Sequence, residues 1–335
     1  MSALGALGGL SAASALHSEP VATLANLPVQ ALVTAMQGPG IWLNLGAAVV
    51  RVRGNSLPLA QQLQQAYRHF PADFNADWAD VHVQLGPVRG LRHWFGPRQV
   101  GFNCDGRQIF DAFPADSPLP LFEWGCNWFL GQRLNDCLLL HAGVLEKDGH
   151  AIVLPAIPGS GKSTLTAALA LRGWRLLSDE FGALDPATGV FHPVLKPTAL
   201  KNKSIAVIRR FAPEVEMGPE FPNTRKGTVV HIAASRDAVQ RRHETALPGM
   251  VVLPRWQAGS ATEWTAVAEH TLFAELAFNA FNYRVLGVAG FKAAIGMVRQ
   301  CPAWRLVYSD LDEAIATIEG AWPYAPQRRQ AQGGA

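Results

Sequence analysis

One stretch, Ala156-Ile157-Pro158-Gly159-Ser160-Gly161-Lys162-Ser163-Thr164, decides the fold. It follows an apolar run at residues 151–154 and precedes an amphipathic run at residues 165–172, after which Gly173 suits the position just past a helix. The order is therefore strand, glycine-rich loop and helix. The spacing matches the phosphate-loop pattern GxxxxGK[ST], with Ala156 where the first glycine usually stands. A simple turn with an exposed lysine is the alternative, and the legible flanking strand and helix disfavour it.

Each part of this loop has chemistry suited to a nucleotide. Gly159 and Gly161 can adopt backbone angles that turn amide N–H groups onto phosphate oxygens. The helix start adds free N–H groups, and the Lys162 side chain can reach the β- and γ-phosphates. The Ser163 hydroxyl can hold Mg²⁺. The residues expected to bind a nucleotide here are Pro158, Gly159, Ser160, Gly161, Lys162, Ser163 and Thr164.

The composition indicates a cytoplasmic protein and argues against nucleic acid as a partner. A chain of 335 residues with 49% hydrophobic residues can bury one large core or two modest ones, and we expect two domains. The formal net charge is only +3, and no dense block of Lys and Arg is present. The four cysteines have neither CxxC nor metal-ligand spacing, which is typical of reduced cytoplasmic thiols.

The N-terminal segment, residues 1–40, has neither a secretory signal nor a membrane span. The first basic residue is Arg51, so the charged start of a secretory signal is missing. Ser, Gly and Pro interrupt the apolar runs before the roughly 20 residues that a membrane span needs. We expect this segment to be partly disordered.

Residues 41–120 have the pattern of a small α+β domain. Residues 41–53 predict one strand, and Ser56 begins a helix with its apolar face at Leu59, Leu63, Ala66 and Tyr67. Strands follow at residues 81–85 and 99–103, the latter turning at Asp105-Gly106 into 107–110. Residues 114–120, rich in proline, predict a link to the next domain. The expected core aromatic residues are Trp94, Phe95, Phe102, Phe110 and Phe113.

A second domain is expected over residues 121–320, with a flexible tail at 321–335. Residues 121–130 are apolar at helical spacing and should pack the two domains together, with Glu123 as a hydrogen-bonded interface carboxylate rather than a functional one. Residues 137–146 and 150–156 predict two antiparallel strands joined at Asp148-Gly149. Parallel β-α-β units dominate nucleotide-binding folds, so an antiparallel strand before the phosphate loop narrows the fold class. His141 lies on the first of these strands, where a core histidine is the alternative to a functional one.

Two acids follow the strand at residues 174–178. Asp179 and Glu180 lie at its carboxyl end, where α/β sheets place ligand chemistry. One carboxylate can hold Mg²⁺, and the other can accept the proton of an attacking hydroxyl. An acidic cap of a helix is the alternative.

Further downstream, several residues and elements are weaker predictions. Residues 197–205, with Lys196, Lys201, Asn202 and Lys203, could contact phosphate or an acidic peptide, or equally form a solvated basic loop. Lys226 and Arg255 are candidates for phosphate contacts. A strand at 251–253, a helix at 271–287 with core aromatic residues, and a strand at 304–308 follow. Ser309 is expected to cap a last helix that ends before Gly320. Asn282 and Arg284 are further candidates for the site.

Together, three segments resemble the kinase domain of bacterial HPr kinase/phosphatase: His141-Ala142-Gly143, the loop ending in Gly161-Lys162-Ser163, and residues 175–180. That family has a histidine and an Asp-Asp pair at these intervals from the loop lysine. Glu180 replaces the second aspartate here, so the division of roles between the two acids stays open.

A closer resemblance is to the HPr kinase-related family A, and it covers about residues 94–320. It is carried by EWGCNW (123–128), LLHA (139–142), PGSGKST (158–164), GWRLLSDE (173–180), LKNKSI (200–205), KGTVVH (226–231), FNYRVLGVAGF (281–291) and YSDLDEA (308–314).

This resemblance implies an α/β phosphate-loop kinase of the HPr kinase/phosphoenolpyruvate carboxykinase type, with a mixed sheet. It implies ATP and Mg²⁺ as cofactors and transfer to a Ser or Thr hydroxyl of a protein or ribosomal peptide, with a small peptide-chaperone protein and homo-oligomers as further partners. In this hypothesis Asp179 is the base, His141 orients Asp179 or a phosphate, and Ser163 and Glu180, or Asp179 itself, hold the metal. A non-catalytic ATP-binding regulatory module is the alternative, mildly favoured by Ala156 and Glu180.

Overall fold

The computed structural model describes residues 22–88, 98–157 and 159–322, and this part of the chain has a mixed α/β fold with three sheets. The strand at residues 81–87 alternates buried and more exposed positions, whereas those at residues 150–155 and 175–178 are buried almost throughout. None of the helices in these residues is both long enough and apolar enough to cross a membrane.

The N-terminal sheet has the strand order β1-β2-β3-β4-β5, in which only β2 and β3 are parallel. A short 3₁₀ helix, Leu24–Asn26, precedes it. The other elements are α1 (Val29–Gln37), β1 (Ile41–Asn44), β2 (Val49–Gly54), α2 (Leu57–Ala66), β3 (Val81–Pro87), β4 (Gln99–Cys104) and β5 (Phe113–Pro114).

In the N-terminal part of the chain, the structure differs from several expectations. Within the segment expected to be partly disordered, residues 29–37 form α1, which buries Leu32 and Met36. The single strand at 41–53 is two strands, β1 and β2, paired as a hairpin. The predicted strand at 107–110 is absent from the described residues, and only an isolated bridge joins Cys104 to Arg107.

Other local predictions are confirmed. Ser56 caps α2 by accepting a hydrogen bond from the Leu59 amide, and the expected apolar face of α2 is buried. Phe102 and Phe113 are in the core, and Phe110 packs against it. Trp94 and Phe95 lie outside the described residues.

The helix α3 (Pro118–Arg133) joins the N-terminal sheet to the rest of the chain. It begins inside the proline-rich segment that was expected to be a link. One cluster of buried apolar residues has members from Leu24 to Trp322, so it joins residues of both predicted domains in one core. Glu123 of α3 is an interface carboxylate, as expected: it accepts a hydrogen bond from Tyr67 Oη at 2.6 Å and pairs with Lys196 Nζ at 2.9 Å.

The central sheet has the order β10-β9-β6-β7-β14-β16-β15, and β8 also pairs with β6. The antiparallel pair β6–β7 confirms the sequence prediction. Only β7–β14 and β14–β16 are parallel, and β14 continues through Pro254 rather than ending before it. The elements are β6 (Leu138–Lys147), β7 (His150–Pro155), α4 (Lys162–Leu171), β8 (Arg175–Ser178), β9 (Phe181–Leu184), β10 (Phe191–His192), β14 (Leu247–Trp256), β15 (Glu263–Ala266) and β16 (Ala303–Tyr308).

A third sheet, of order β11-β13-β12, is formed by residues that lie between β10 and β14 in the sequence. Its elements and neighbours are β11 (Thr198–Lys201), α5 (Lys203–Phe211), β12 (Phe221–Thr224), β13 (Gly227–Ile232) and α6 (Arg236–Gln240). Of the two alternatives for residues 197–205, the solvated basic loop is wrong, because these residues form β11 and the start of α5. Lys196 is buried on Glu123 rather than solvated.

The predicted helix at 271–287 is also wrong, because it is broken into α7 (Glu269–Phe278) and α8 (Tyr283–Leu286). The intervening residues pair with β6: the His141 amide donates to Asn279 O at 2.6 Å, and the Phe281 amide donates to Leu139 O at 2.9 Å. Phe278 and Phe281 are exposed rather than in the core.

Two helices complete the described chain, α9 (Val288–Gln300) and α10 (Leu311–Ala321). Asp310, not Ser309, caps α10, because its Oδ1 accepts from the Glu313 amide at 3.0 Å. Gly320 lies inside α10 rather than past its end. The expected tail at 321–335 lies outside the described residues from position 323 onward.

We predict that Lys196→Met lowers the free energy of unfolding by about 3 kcal/mol, because it leaves the buried Glu123 carboxylate without its cation. Urea unfolding measures this. Arg209→Ala is the matched control, since the Arg209–Glu220 pair is about half exposed and should contribute at most about 1 kcal/mol. Equal effects of the two changes would contradict a structural role for the Glu123–Lys196 pair.

Candidate functional site

The glycine-rich loop connects the end of β7 to the start of α4. Gly159 and Gly161 have φ angles of 90° and 92°, in the region that favours glycine. A Cβ on Gly161 would lie 2.6 Å from Tyr308 Oη and 2.9 Å from Trp256 Cβ, so a larger residue would not fit. The Trp256 amide donates to Ser160 O at 2.8 Å, and Tyr308 Oη donates to Gly161 O at 3.3 Å. The loop is therefore attached to the ends of β14 and β16.

The Lys162 side chain, on the first residue of α4, is buried beside Asp179. Its Nζ donates to the backbone carbonyl of Asp179 and lies 3.9 Å from Asp179 Oδ1. Oδ1 is buried and has no hydrogen-bond partner among the described residues. Buried polar atoms are nearly always partnered, so this oxygen is available to a ligand or metal. Burial raises the pKa of Asp179, and the charge of Lys162 and the Ser163 hydroxyl oppose that rise.

Next to this pair, His141 of β6 faces Glu180. His141 Nε2 lies 3.7 Å from Glu180 Oε1, beyond hydrogen-bond range but close enough for attraction if the ring is charged. Burial lowers the pKa of His141 to about 4, and Lys162 adds to the shift, so the ring is neutral at pH 7. Burial raises the pKa of Glu180, but Lys162 and other nearby cations outweigh it, so the net shift is downward. Glu180 is therefore ionised at pH 7.

These residues face a pocket of about 1020 Å³. Its basic lining residues are Lys162, Lys201, Lys203, Arg210 and Lys226, and its acidic ones are Glu180, Asp310 and Asp312. Burial lowers the pKa of Lys201, and the neighbouring charge of Lys226 lowers it further. Because Lys201 and Lys226 are near enough for their charges to repel, this part of the pocket favours a ligand with several negative charges.

The turn that carries Lys226 is held by Asn202. Its Nδ2 donates to Lys226 O at 3.1 Å, and its Oδ1 accepts from the Thr228 amide at 3.1 Å. Asn202 has a φ of 53°, and a non-glycine residue in that region carries backbone strain. The structure thus fixes the position of the Lys226 backbone within the pocket.

Most of the residues predicted from the sequence come together in this pocket: His141, Gly159, Gly161, Lys162, Ser163, Thr164, Glu180 and Lys226 line it. Ser160 and Asp179 are not among its lining residues, and Pro158 lies outside the described residues.

Three weaker candidates do not line the pocket in the described part of the chain. Arg255 and Arg284 are exposed to solvent. Asn282 is buried, where its side chain hydrogen-bonds the backbone of Leu134, Cys137 and Leu139. Its role is to hold the chain beside β6.

Some lining residues were missed by sequence reasoning. Lys201 and Lys203 were expected either to contact phosphate or an acidic peptide or to lie in a solvated loop, whereas Trp256, placed just after a strand, and Tyr308, at the end of another, were not expected at the site. The alternation of β11 places Lys201 and Ala199 on the same face, which is a signal the sequence carries. The approach of Tyr308 to Gly161 depends on the pairing of β14 with β16, which local sequence does not reveal.

Within the described residues, no group of three or more His, Cys, Asp or Glu side chains could by itself hold a metal ion. Ser163, Asp179 and Glu180 offer oxygen ligands of the kind that Mg²⁺ uses together with substrate phosphates. The unpartnered Asp179 Oδ1 fits such a role. No protein-family model matches the chain, and no curated protein matches it either.

We predict that His141 stays neutral down to about pH 4, because burial and Lys162 disfavour its charged form. Since its pKa falls from 6.5 in the unfolded chain to about 4, the unfolded state binds more protons between these values. The contribution of His141 to stability therefore decreases as the pH falls through this window.

Nitrogen NMR of the imidazole rings measures the titration, and His141→Gln assigns the signal. A midpoint near 6.5 would contradict the buried, cation-flanked position of this ring.

Proposed function

We propose that this protein is a Mg·ATP-dependent kinase that transfers the γ-phosphate to a Ser or Thr hydroxyl of a protein or peptide. One observation carries the proposal: Lys162 of the phosphate loop and Glu180, which follows β8, line one pocket rich in cations, and Asp179 lies buried beside Lys162. A phosphoryl transfer needs mainly positioning and neutralisation of charge, and these groups provide both.

The loop and the cations are suited to the triphosphate. Gly159 and Gly161 have positive φ angles, which allow amide N–H groups of the loop to point toward a phosphate. The first N–H groups of α4 lack carbonyl partners within the helix and are also available. Lys162 would bind the β- and γ-phosphates, while Lys201 and Lys226, which line the same pocket, would bind the transferring group. These contacts hold the reacting phosphorus and stabilise charge on its oxygens.

Asp179 and Ser163 are the residues that would hold Mg²⁺. Asp179 lies beside both Lys162 and the Ser163 hydroxyl, which oppose the rise in its pKa, and its Oδ1 lacks a partner. When bound, Mg²⁺ would neutralise phosphate charge. The buried position of Asp179 favours this role over that of base, which differs from the division expected from the sequence.

Glu180 is then the residue that accepts the proton of the attacking hydroxyl. It lines the pocket and is ionised, whereas Asp179 does not line it. His141, neutral and 3.7 Å away, would orient Glu180 rather than Asp179. The lowered pKa keeps Glu180 ionised at pH 7, which is the form that can accept a proton.

The resemblance to the HPr kinase-related family A supports the same proposal. It suggests a fold of the HPr kinase/phosphoenolpyruvate carboxykinase type, a cytoplasmic location and a small peptide-chaperone protein as partner. The motifs that carry it include the segments of Lys162, Glu180, Lys201, Lys226 and Tyr308, all of which line the pocket.

We predict that Lys162→Ala weakens binding of Mg·AMP-PNP at least about tenfold, because a charge-assisted contact to phosphate is lost. Isothermal titration calorimetry measures this affinity. Arg53→Ala, an exposed basic residue of β2, is the control and should bind as the wild type does. Equal affinity in all three proteins would exclude the loop as the nucleotide site.

We predict that Glu180→Gln lowers phosphate transfer about 10²–10⁴-fold while nucleotide affinity is kept, because only the proton acceptor is lost. Transfer is measured with γ-labelled ATP and the proteins of a cell lysate. Asp179→Asn should instead weaken the dependence of nucleotide binding on Mg²⁺.

The same experiment separates the two hypotheses of function. A wild-type protein that binds Mg·AMP-PNP tightly but labels no protein would support the non-catalytic regulatory module. Transfer that Glu180→Gln leaves unchanged would show that Glu180 is not the base.

A further inference from the structure

An apolar surface starts at the candidate site and continues along α7, α8 and α9. Of the thirteen large apolar side chains exposed in the described residues, five lie within residues 278–291: Phe278, Phe281, Val285, Val288 and Phe291. We call this set the apolar patch. Phe278, Val285 and Val288 are 78%, 71% and 69% exposed. Such a concentration on a protein surface usually marks a binding surface.

The apolar patch is rigidly connected to the site. The Phe281 ring lies 5.5 Å from the His141 ring and 5.1 Å from the ring of Phe181, which follows Glu180 in the chain. The backbone pairing of residues 279–281 with β6 fixes Phe281 beside His141, and the buried Asn282 side chain holds the next residue in place. Phe281 therefore lies beside His141, one of the residues that line the pocket.

The exposure of the patch residues on α9 has a cause other than a missing core, because this helix packs on the central sheet. It buries Gly290, Ala294, Met297 and Val298 against the central sheet. Val288 at its start is 69% exposed, and Phe291 at the edge of the buried face is 48% exposed, where a surface helix ordinarily has polar residues. Phe291 also packs against Phe273 of α7, which joins the two helices beneath the surface.

Basic side chains predominate in the segment that forms the apolar patch, and its nearest preceding acid is Glu275, three residues before Phe278 on α7. Residues 276–309 contain no Asp or Glu, whereas Arg284 and Lys292 are exposed within or beside the apolar residues. Lys201 and Lys226 extend the same sign into the pocket. A partner suited to this surface has apolar anchor residues accompanied by acidic ones.

We infer that the apolar patch docks the phosphate acceptor, and that this acceptor is a polypeptide with acidic and large apolar residues flanking its hydroxyl. The inference rests on the proposed kinase function, because the patch is continuous with the acceptor side of that site. Apolar side chains of the acceptor contact Phe278, Val285 and Val288. Its carboxylates pair with Arg284 and Lys292.

The test uses the full-length protein with Mg·AMP-PNP and an array of synthetic peptides. Each peptide has one central serine, and its flanking positions are varied one at a time. We expect preferential binding of peptides with acidic and large apolar flanks. The variant Phe278→Ser/Val285→Ser/Val288→Ser should bind the preferred peptides at least about tenfold more weakly. Trp78→Ser, which changes a side chain 61% exposed outside the patch, is the control and should bind them unchanged.

A second variant, Lys292→Glu, changes one exposed charge and avoids any loss of folding. It should shift the preference of the array from acidic toward basic flanks. An array without preference, or one whose preference the two variants leave unchanged, overturns the inference. So does light scattering that shows a wild-type dimer converted to monomer by the triple variant, because a second copy would then cover the patch.

The failure of this inference differs from a failure of the kinase proposal. Peptides that bind through the patch but receive no label from γ-labelled ATP would support docking and contradict catalysis. Labelled peptides with no dependence on the patch would support catalysis and overturn docking.

Discussion

The fold of the site depends on one buried pair of charges, Lys162 and Asp179. Neither side chain is more than a tenth exposed, and their charged atoms lie 3.9 Å apart. Charges of this kind are costly to bury unless they attract each other or a ligand. Lys162, the first residue of α4, therefore lies next to the carboxyl end of β8 in space. This contact holds the glycine-rich loop against the central sheet. The unpartnered Asp179 Oδ1 marks the place where that arrangement is incomplete without a ligand.

The surrounding elements hold this pair from several directions. Trp256 and Tyr308 attach the loop to β14 and β16, and Asn202 hydrogen-bonds the turn that carries Lys226. The N-terminal sheet belongs to the same core, through α3 and the buried Glu123–Lys196 pair. Lys196 precedes β11, so the contact with α3 also supports the strand that carries Lys201. The N-terminal part thus contributes to the geometry of the pocket.

The sequence predicts local features well and long-range ones poorly. The glycine-rich loop, the antiparallel β6–β7 hairpin and the acids after β8 follow from short-range patterns, and the structure has all three. The break at Asn279 to Asn282 could not be predicted, because backbone pairing with β6, distant in sequence, competes there with helix formation. Burial likewise separates Asp179 from Glu180, and no local pattern shows which of two adjacent carboxylates faces a pocket.

A crystal structure of the protein with Mg·AMP-PNP would test the proposed site most directly. We expect the β- and γ-phosphates at Lys162 Nζ and the amides of the glycine-rich loop, the metal at Ser163 and Asp179, and the γ-phosphate facing Glu180 and His141. A nucleotide bound outside this pocket, or with its γ-phosphate directed away from Glu180, would contradict the kinase proposal.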